Sequence, residues 1–368
     1  MAPNRLISFL ILATALLAVG STTEVEFPAD YADLDRWIAT NVKAFDDRVA
    51  EIENGIDAQL ERRLVAAEKR KRVITVRQDG SGDFRRVTDA VNSVPAGNAV
   101  RTVIEIGSGV YKEKIVVDRS RPLITFYGQP NAMPTLTFDG TAAKYGTVDS
   151  ASVAVESNYF MAVNIIFENS APEPKLGVQG AQAVAMRIGG DKAAFYNCKF
   201  YGYQDTLCDQ MGRHFFKDCF IQGTVDFVFG NGRSIYLNCE LHSVGTGEIA
   251  ITAQARKTVA DKSGFSFVHC KITGTGNVFL SRAWMQSSRV VFAYTYMGSL
   301  VNPKGWDDKG FTDRDRTVYY GEYKCMGPGS STQQRVSYGR VLKDKQAKPF
   351  ISTTFIRAAT WLLPPPKL

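Results

Sequence analysis

The sequence predicts an all-β chain folded as a right-handed parallel β-helix, with short helices at the N-terminus and a C-terminal tail packed along the outside. Three observations predict it. An aromatic-or-apolar, polar, cysteine, apolar pattern recurs at Phe195–Phe200, Phe216–Ile221, Tyr236–Leu241 and Phe267–Ile272, with cysteines 21, 20 and 31 residues apart. Short β-rich pieces with glycine punctuation at such a period mark a stack of solenoid turns. The region also lacks the helical patterns of roughly 10–15 residues between strands that a doubly wound α/β fold requires. Asn164–Phe167 is a degenerate earlier copy of the repeat and Val291–Tyr296 a later one.

The N-terminus comes first in chain order. Residues Leu6 to Gly20 are apolar after Arg5, and Ser21-Thr22-Thr23 follows, so residues 1–23 read as a signal peptide. The stretch is too short for a membrane span. Residues 24–70 carry apolar positions at helical spacing, from Ala29 to Val42 and from Phe45 to Ala67, and predict one or two amphipathic helices. The basic run Lys69-Arg70-Lys71-Arg72 reads as a solvated face, with a processing site as the alternative.

From residue 71 to 368 the texture is that of one solenoid domain. Val73–Val76, Val103–Ile106, Ile115–Val117 and Leu123–Gly128 read as strands. Between the first two, Asp83–Val91 predicts a short helix capping the open end of the stack, as repeat folds require. After Ser337 the chain turns helical and basic and ends in Trp361-Leu362-Leu363-Pro364-Pro365-Pro366.

The formal charge of +7 suits an anionic polymer such as an acidic polysaccharide. Nucleic acid is the competing partner, but no zinc-finger, helix-turn-helix or RNA-binding signature is present. No later stretch could span a membrane, so no membrane is expected for the mature form. Four of the six cysteines share one phase of the repeat and should stack inside as small hydrophobes. Side chains one strand spacing apart, about 4.8 Å, are too far separated for a disulfide. Cys208 and Cys325 lie outside that phase, and their pairing stays open. No Asn-x-Ser/Thr sequon occurs.

Chemistry enters with a second repetition. Gly202-Tyr203-Gln204-Asp205 follows Cys198 and Gly223-Thr224-Val225-Asp226 follows Cys219, at the same phase, and the aspartates are 21 residues apart. On a solenoid they share one face in adjacent turns, about 4.8 Å apart. Two carboxylates so close cannot both ionise easily, so one pKa should rise and the pair divides into acid and nucleophile. The equivalent positions after Cys239 and Cys270 are Thr246 and Asn277, which favours a site over a ladder running through the whole stack.

Five segments then carry a resemblance. Gly109–Glu113, Gly180–Ala185, Gly202–Leu207, Gly223–Gly230 and Leu280–Trp284 resemble the signature blocks of pectin methylesterases, in the family's order, and the similarity runs from Val73 to the C-terminus. The chain is most similar to the plant, pollen-type form made without an inhibitor-like pro-region. The resemblance implies an esterase acting on methyl-esterified homogalacturonan, secreted to the cell wall, with no cofactor and no metal. It further implies a monomer, with a proteinaceous inhibitor as a partner.

By the same resemblance Asp226 is the nucleophile and Asp205 the proton donor and later base. Gln182 and Gln204, 22 residues apart, stabilise the oxyanion, and Arg282 orients Asp226. Thr147, Gln182, Arg282 and Trp284 map to substrate-binding positions. The residue types agree: there are three histidines and no Gly-x-Ser-x-Gly elbow, so carboxylates must do the work of a serine triad. Tyr111 and Glu113 read as structural, and Phe227 and Phe229 should place one ring in the core and one in the groove. Serine at 281, where the family has glycine, would strain a backbone needing positive φ and could misplace Arg282. Two alternatives stay open, a pectin depolymerase on the same fold and a non-catalytic pectin-binding protein. A retaining glycosidase would also space its carboxyls by about 5–5.5 Å.

Overall fold

The computed structural model describes residues 26–42, 61–175 and 177–366. The proposed signal peptide at 1–23 lies outside them, as does most of the Phe45–Ala67 helical prediction. Three all-parallel sheets wind around a common core, one of eleven strands and two of eight. A single turn shows the pattern. Ala193–Tyr196 lies in the eleven-stranded sheet, and Lys199–Tyr201 and Leu207–Asp209 each lie in one of the smaller sheets. Arg213–Lys217 then stacks on Ala193–Tyr196, with Phe195 opposite Phe216.

The repeat sets this geometry residue by residue. The polar slot before each cysteine is a left-handed corner: Asn164, Asn197, Asp218, Asn238, His269, Tyr294 and Lys324 have φ between 48 and 57°. Asparagine and aspartate tolerate that conformation and can bond locally. Asn197 donates to Asn164 (2.8 Å), and Asn238 donates to Asp218 (2.7 Å). The next residue turns inward. Cys198, Cys219, Cys239 and Cys270 are all buried in one continuous core. Each of the last three points its thiol at the carbonyl three residues before the previous cysteine: Phe195, Phe216 and Tyr236. Thr295 and then Cys325 continue the series, bonding to Phe267 and Phe292. Cys325 therefore belongs to the ladder, two turns past Cys270. Cys208 sits in a separate cluster, and all six thiols are free.

Inside the stack, Phe195, Phe216, Tyr236, Phe267 and Phe292 form a column of parallel rings with centroids 4.5–4.6 Å apart. The capping helix spans Val87–Asn92 and buries Val87, Ala90 and Val91. It starts later than expected because Asp83 is held by the Thr75 backbone and hydroxyl (2.8 Å each), and Phe84 bridges to Val76. The Glu113 carboxylate accepts from Val87 and Thr88 N–H (3.0 and 2.9 Å), capping the helix start, so its role is structural. Tyr111 is buried and donates to the Gly107 carbonyl.

A second apolar cluster lies outside the eleven-stranded sheet. It joins Phe27 and Leu34, from the helical N-terminal segment, to Phe355, Ile356, Trp361 and Leu363 of the tail. The tail differs from expectation in one respect. Before its short helical turns, Gly339–Val341 adds an edge strand to the eleven-stranded sheet beside Tyr319–Tyr323. Glycine suits the start of that strand, since a Cβ on Gly339 would lie 2.9 Å from the Trp306 ring. Among the described residues no helix is long and apolar enough to cross a membrane.

Candidate active site

Asp205 and Asp226 stand two residues before the first residues of the strands Leu207–Asp209 and Val228–Gly230 of one eight-stranded sheet. Asp205 N–H donates to Val225 O (3.0 Å) and Leu207 N–H to Phe227 O (2.9 Å). That register stacks Asp226 on Asp205, one inter-strand spacing of about 4.8 Å away. Both aspartates are in left-handed backbone, at φ 65° and 54°. Crowding requires the glycine ahead of Asp226: a Cβ on Gly223 would lie 2.2 Å from Phe227 Cβ and 2.6 Å from Tyr203 O.

The two carboxyls differ in their partners. Arg282 reaches Asp226 with a two-point fork, Nε to Oδ1 and Nη2 to Oδ2. Among the described residues no side chain bonds to the Asp205 carboxyl. Burial, and then the charge of Asp226, pushes Asp205 well above the usual carboxylate range. Burial lifts Asp226 as well, but the Arg282 hydrogen bonds and charge oppose it. Environment thus separates two chemically identical groups.

The glutamines align through a feature that spacing alone does not show. Ala185 and Met186 N–H both donate to Thr206 O (2.8 and 3.3 Å), so this strand carries an extra residue, a β-bulge. Beyond it the register is Met186 opposite Leu207; before it, Ala183 N–H meets Gln204 O at 3.1 Å. The bulge shifts the offset from 21 to 22 residues and sets Gln182 opposite Gln204. Both side chains are half-buried, and neither has a partner among the described residues, which leaves their amide N–H groups available.

Thr147 stands just before a short 3-10 turn, Val148–Ser150. Its loop is tied to the Gln182 loop by Ala142 N–H to Gln182 O and Ala143 N–H to Gly180 O, both 2.8 Å. Trp284 is 43% exposed, a large apolar surface beside Arg282. The Arg282 guanidinium lies 5.1 Å from its ring centre and Lys309 Nζ 4.9 Å. Phe227 is fully buried in the core and Phe229 faces outward beside Cys208, which settles the alternation. Ser281 is not at positive φ. It lies buried in the strand Asn277–Ala283, and its hydroxyl donates to Thr252 O at 3.2 Å. The expected strain is absent, and Arg282 meets Asp226.

Sequence reasoning missed Lys309 and Asp307. Asp307 pairs in register with Arg282, and Lys309 is held in left-handed backbone (φ 59°) by a loop belonging to no motif. Among the described residues no group of three or more metal-ligating side chains converges.

The comparisons with known proteins agree with this geometry. The pectinesterase family model matches residues 73–359. The chain is 61% identical over 292 residues to pectinesterase 63 of Arabidopsis thaliana, covering 79% of this chain and 86% of that one. It is 48% identical to pectinesterase 2 of Olea europaea, covering 94% and 93% of the two chains. Among solved structures, pectin methylesterase from carrot superposes with a TM-score of 0.74 at 33% identity, over 78% of this chain and 94% of that one.

Proposed function

The chain belongs to the pectinesterase family, and on that premise we propose how its own residues carry the reaction. It is a carboxylic ester hydrolase that converts methyl esters of polygalacturonate to free carboxylates and methanol, acting on the pectin of the cell wall. The observation supporting the residue roles is the asymmetric pair: Asp226 in the grip of Arg282, with Asp205 stacked in register beside it and bonded to no side-chain donor among the described residues.

Asp226, ionised and oriented by the guanidinium fork, attacks the ester carbonyl carbon. The oxyanion that forms takes hydrogen bonds from the Gln182 and Gln204 amides, aligned by the bulge. Asp205, protonated at rest, gives its proton to the departing methoxide, and methanol leaves an anhydride on Asp226. Asp205, now a carboxylate, removes a proton from water, which attacks the anhydride. The galacturonic acid departs with Asp226 ionised and Asp205 reprotonated, and it sheds its own proton to water, which acidifies the medium. Trp284, 43% exposed and close to Arg282 and Lys309, offers its exposed surface as a platform for the sugar ring, and Thr147 lines the cleft from the loop across Gln182.

The localisation proposed is extracellular, supported by the apolar N-terminal stretch, and the protein acts as a monomer with a proteinaceous inhibitor as partner. The test is methanol release from highly methylated pectin, with acidification of an unbuffered solution and no chain shortening. New reducing ends or an unsaturated product would support a depolymerase instead. Binding without turnover would support the non-catalytic alternative.

A further inference from the structure

We propose that a cationic cleft on the outside of the eleven-stranded sheet binds de-esterified homogalacturonan, the polyanion that the reaction generates, and the identity of this ligand rests on the esterase reading. The catalytic pair belongs to a different sheet, so this would be a second site on the same molecule.

Two hollows of about 380 and 530 Å³ share Arg289, Lys345, Pro349 and Phe350 and so form one cleft under the C-terminal tail. The first adds Arg233 and Lys262, and the second adds Arg316 and Arg340; among the described residues no carboxylate lines either. Sheet register builds the row. Arg233 and Arg289 open successive-but-one strands, with Gly264 between them. A Cβ at Gly264 would lie 2.7 Å from Arg289 Nε, so the glycine makes room for that guanidinium.

Among the described residues no carboxylate pairs with Arg233, Lys262, Arg289, Arg316, Arg340 or Lys345. Lys348 pairs with Glu26 at 3.3 Å. Arg289 instead donates to the carbonyls of Ser263 and Lys262, and Arg340 stacks on Tyr319 at 4.9 Å. Arg233 Nε is buried with no hydrogen-bond partner among the described residues, which native structures rarely tolerate without a reason. Burial first, and then the repelling charges of Arg256 and Arg233, pull Arg289 down to about 10. An anion in the cleft would relieve that repulsion.

A uronate polymer fits better than a nucleic acid. Phe350 and Phe355 are buried, and Arg289 covers them at 5.8 and 5.6 Å, so no ring face is open for stacking a base. Carboxylates need only the guanidinium and ammonium groups that the cleft offers. A molecule that holds its product on one face while reacting on another would stay on partly de-esterified pectin.

The test compares the full-length protein with a K262Q/R340Q/K345Q variant, three exposed positions whose change should not disturb folding. The probe is fully de-esterified polygalacturonate, titrated at several salt concentrations. Removing three charges should weaken binding roughly tenfold or more at low ionic strength and flatten the salt dependence. The catalytic cleft is common to both proteins, and methanol release from a short esterified oligogalacturonate should be equal, which also shows the variant is folded. Equal affinity and equal salt dependence would overturn the proposal. So would a loss of affinity for RNA with binding to polygalacturonate unchanged. If the unmodified protein released no methanol, the esterase reading would fall, while the binding comparison would still decide for or against the cleft.

Discussion

Asp205 and Asp226 occupy equivalent left-handed corners of adjacent turns, yet only Asp226 is bonded to a guanidinium. That difference divides their roles, and the division can be measured. Asp226→Asn should abolish turnover, because an amide cannot serve as the nucleophile. Asp205→Asn should lose about 10²–10⁴-fold, the usual worth of a general acid. An aryl ester, whose alcohol leaves without protonation, should partly rescue Asp205→Asn and leave Asp226→Asn inactive. The reverse pattern would exchange the two assignments.

The pH profile follows from the same pair. Asp226 must be ionised, so activity falls as pH drops through its pKa; Asp205 must start protonated, so activity falls as pH rises through its own, higher pKa. Arg282 opposes the upward push of burial on Asp226. Arg282→Gln should therefore move the acid limb of kcat/KM to higher pH and lower the maximum, leaving the alkaline limb to Asp205. An acid limb that stays in place would mean that Arg282 does not hold the ionised form.

Stability should respond at Asp205 in the opposite direction to activity. Burial and Asp226 raise its folded pKa well above the unfolded value of about 3.9. The native state then favours the protonated carboxyl. Its contribution is present below the unfolded pKa and is lost as pH rises through the folded one. Asp205→Asn, permanently neutral, should melt above the wild type at pH 7–8 and show a smaller gap near pH 4. A gap that is constant with pH would argue against a strained carboxyl at this position.

The features that sequence revealed are those governed by the period. The Cys198–Cys239 ladder and the stacking of Asp205 on Asp226 needed only a nearly constant turn length, and Cys270 was legible from its local pattern across an insertion. Cys325 escaped because Thr295 interrupts the cysteines, although a hydroxyl fills that slot and makes the same kind of carbonyl bond. The pairing of Arg282 with Asp226 came from the family resemblance, since no spacing rule links residues two turns apart across an insertion. Gln182 and Gln204 differ by 22 where the aspartates differ by 21, and the bulge at Ala185–Met186 is the physical reason. Lys309 was invisible because a loop with its own Asx turns, at Asp307 and Asp308, places it. The strand Gly339–Val341 depends on an edge that only the finished sheet presents.

His214 is the buried group that sequence passed over, and its environment fixes its charge. Nδ1 lies 2.5 Å from Asp209 Oδ1 and Nε2 2.8 Å from the Gly190 carbonyl. Carboxylate and carbonyl oxygens can only accept, so both ring nitrogens donate and the ring is an imidazolium. Tyr236 donates to the second Asp209 oxygen at 2.8 Å, completing the carboxylate's partners. Burial pulls the His214 pKa down, but the Asp209 charge and hydrogen bond outweigh it and leave it raised. The pair's stabilisation is therefore complete below about pH 6.5, the unfolded value, and is lost as pH rises through the higher folded pKa. Asp209→Asn should cost about 3–5 kcal/mol, as breaking a buried pair does. Chemical denaturation should show a larger loss at pH 6 than above the folded His214 pKa, where the wild type has itself lost the charge. Nitrogen chemical shifts of His214 at pH 6 should report two protonated ring nitrogens; a neutral ring, or a mutational cost that does not change with pH, would contradict the ion pair.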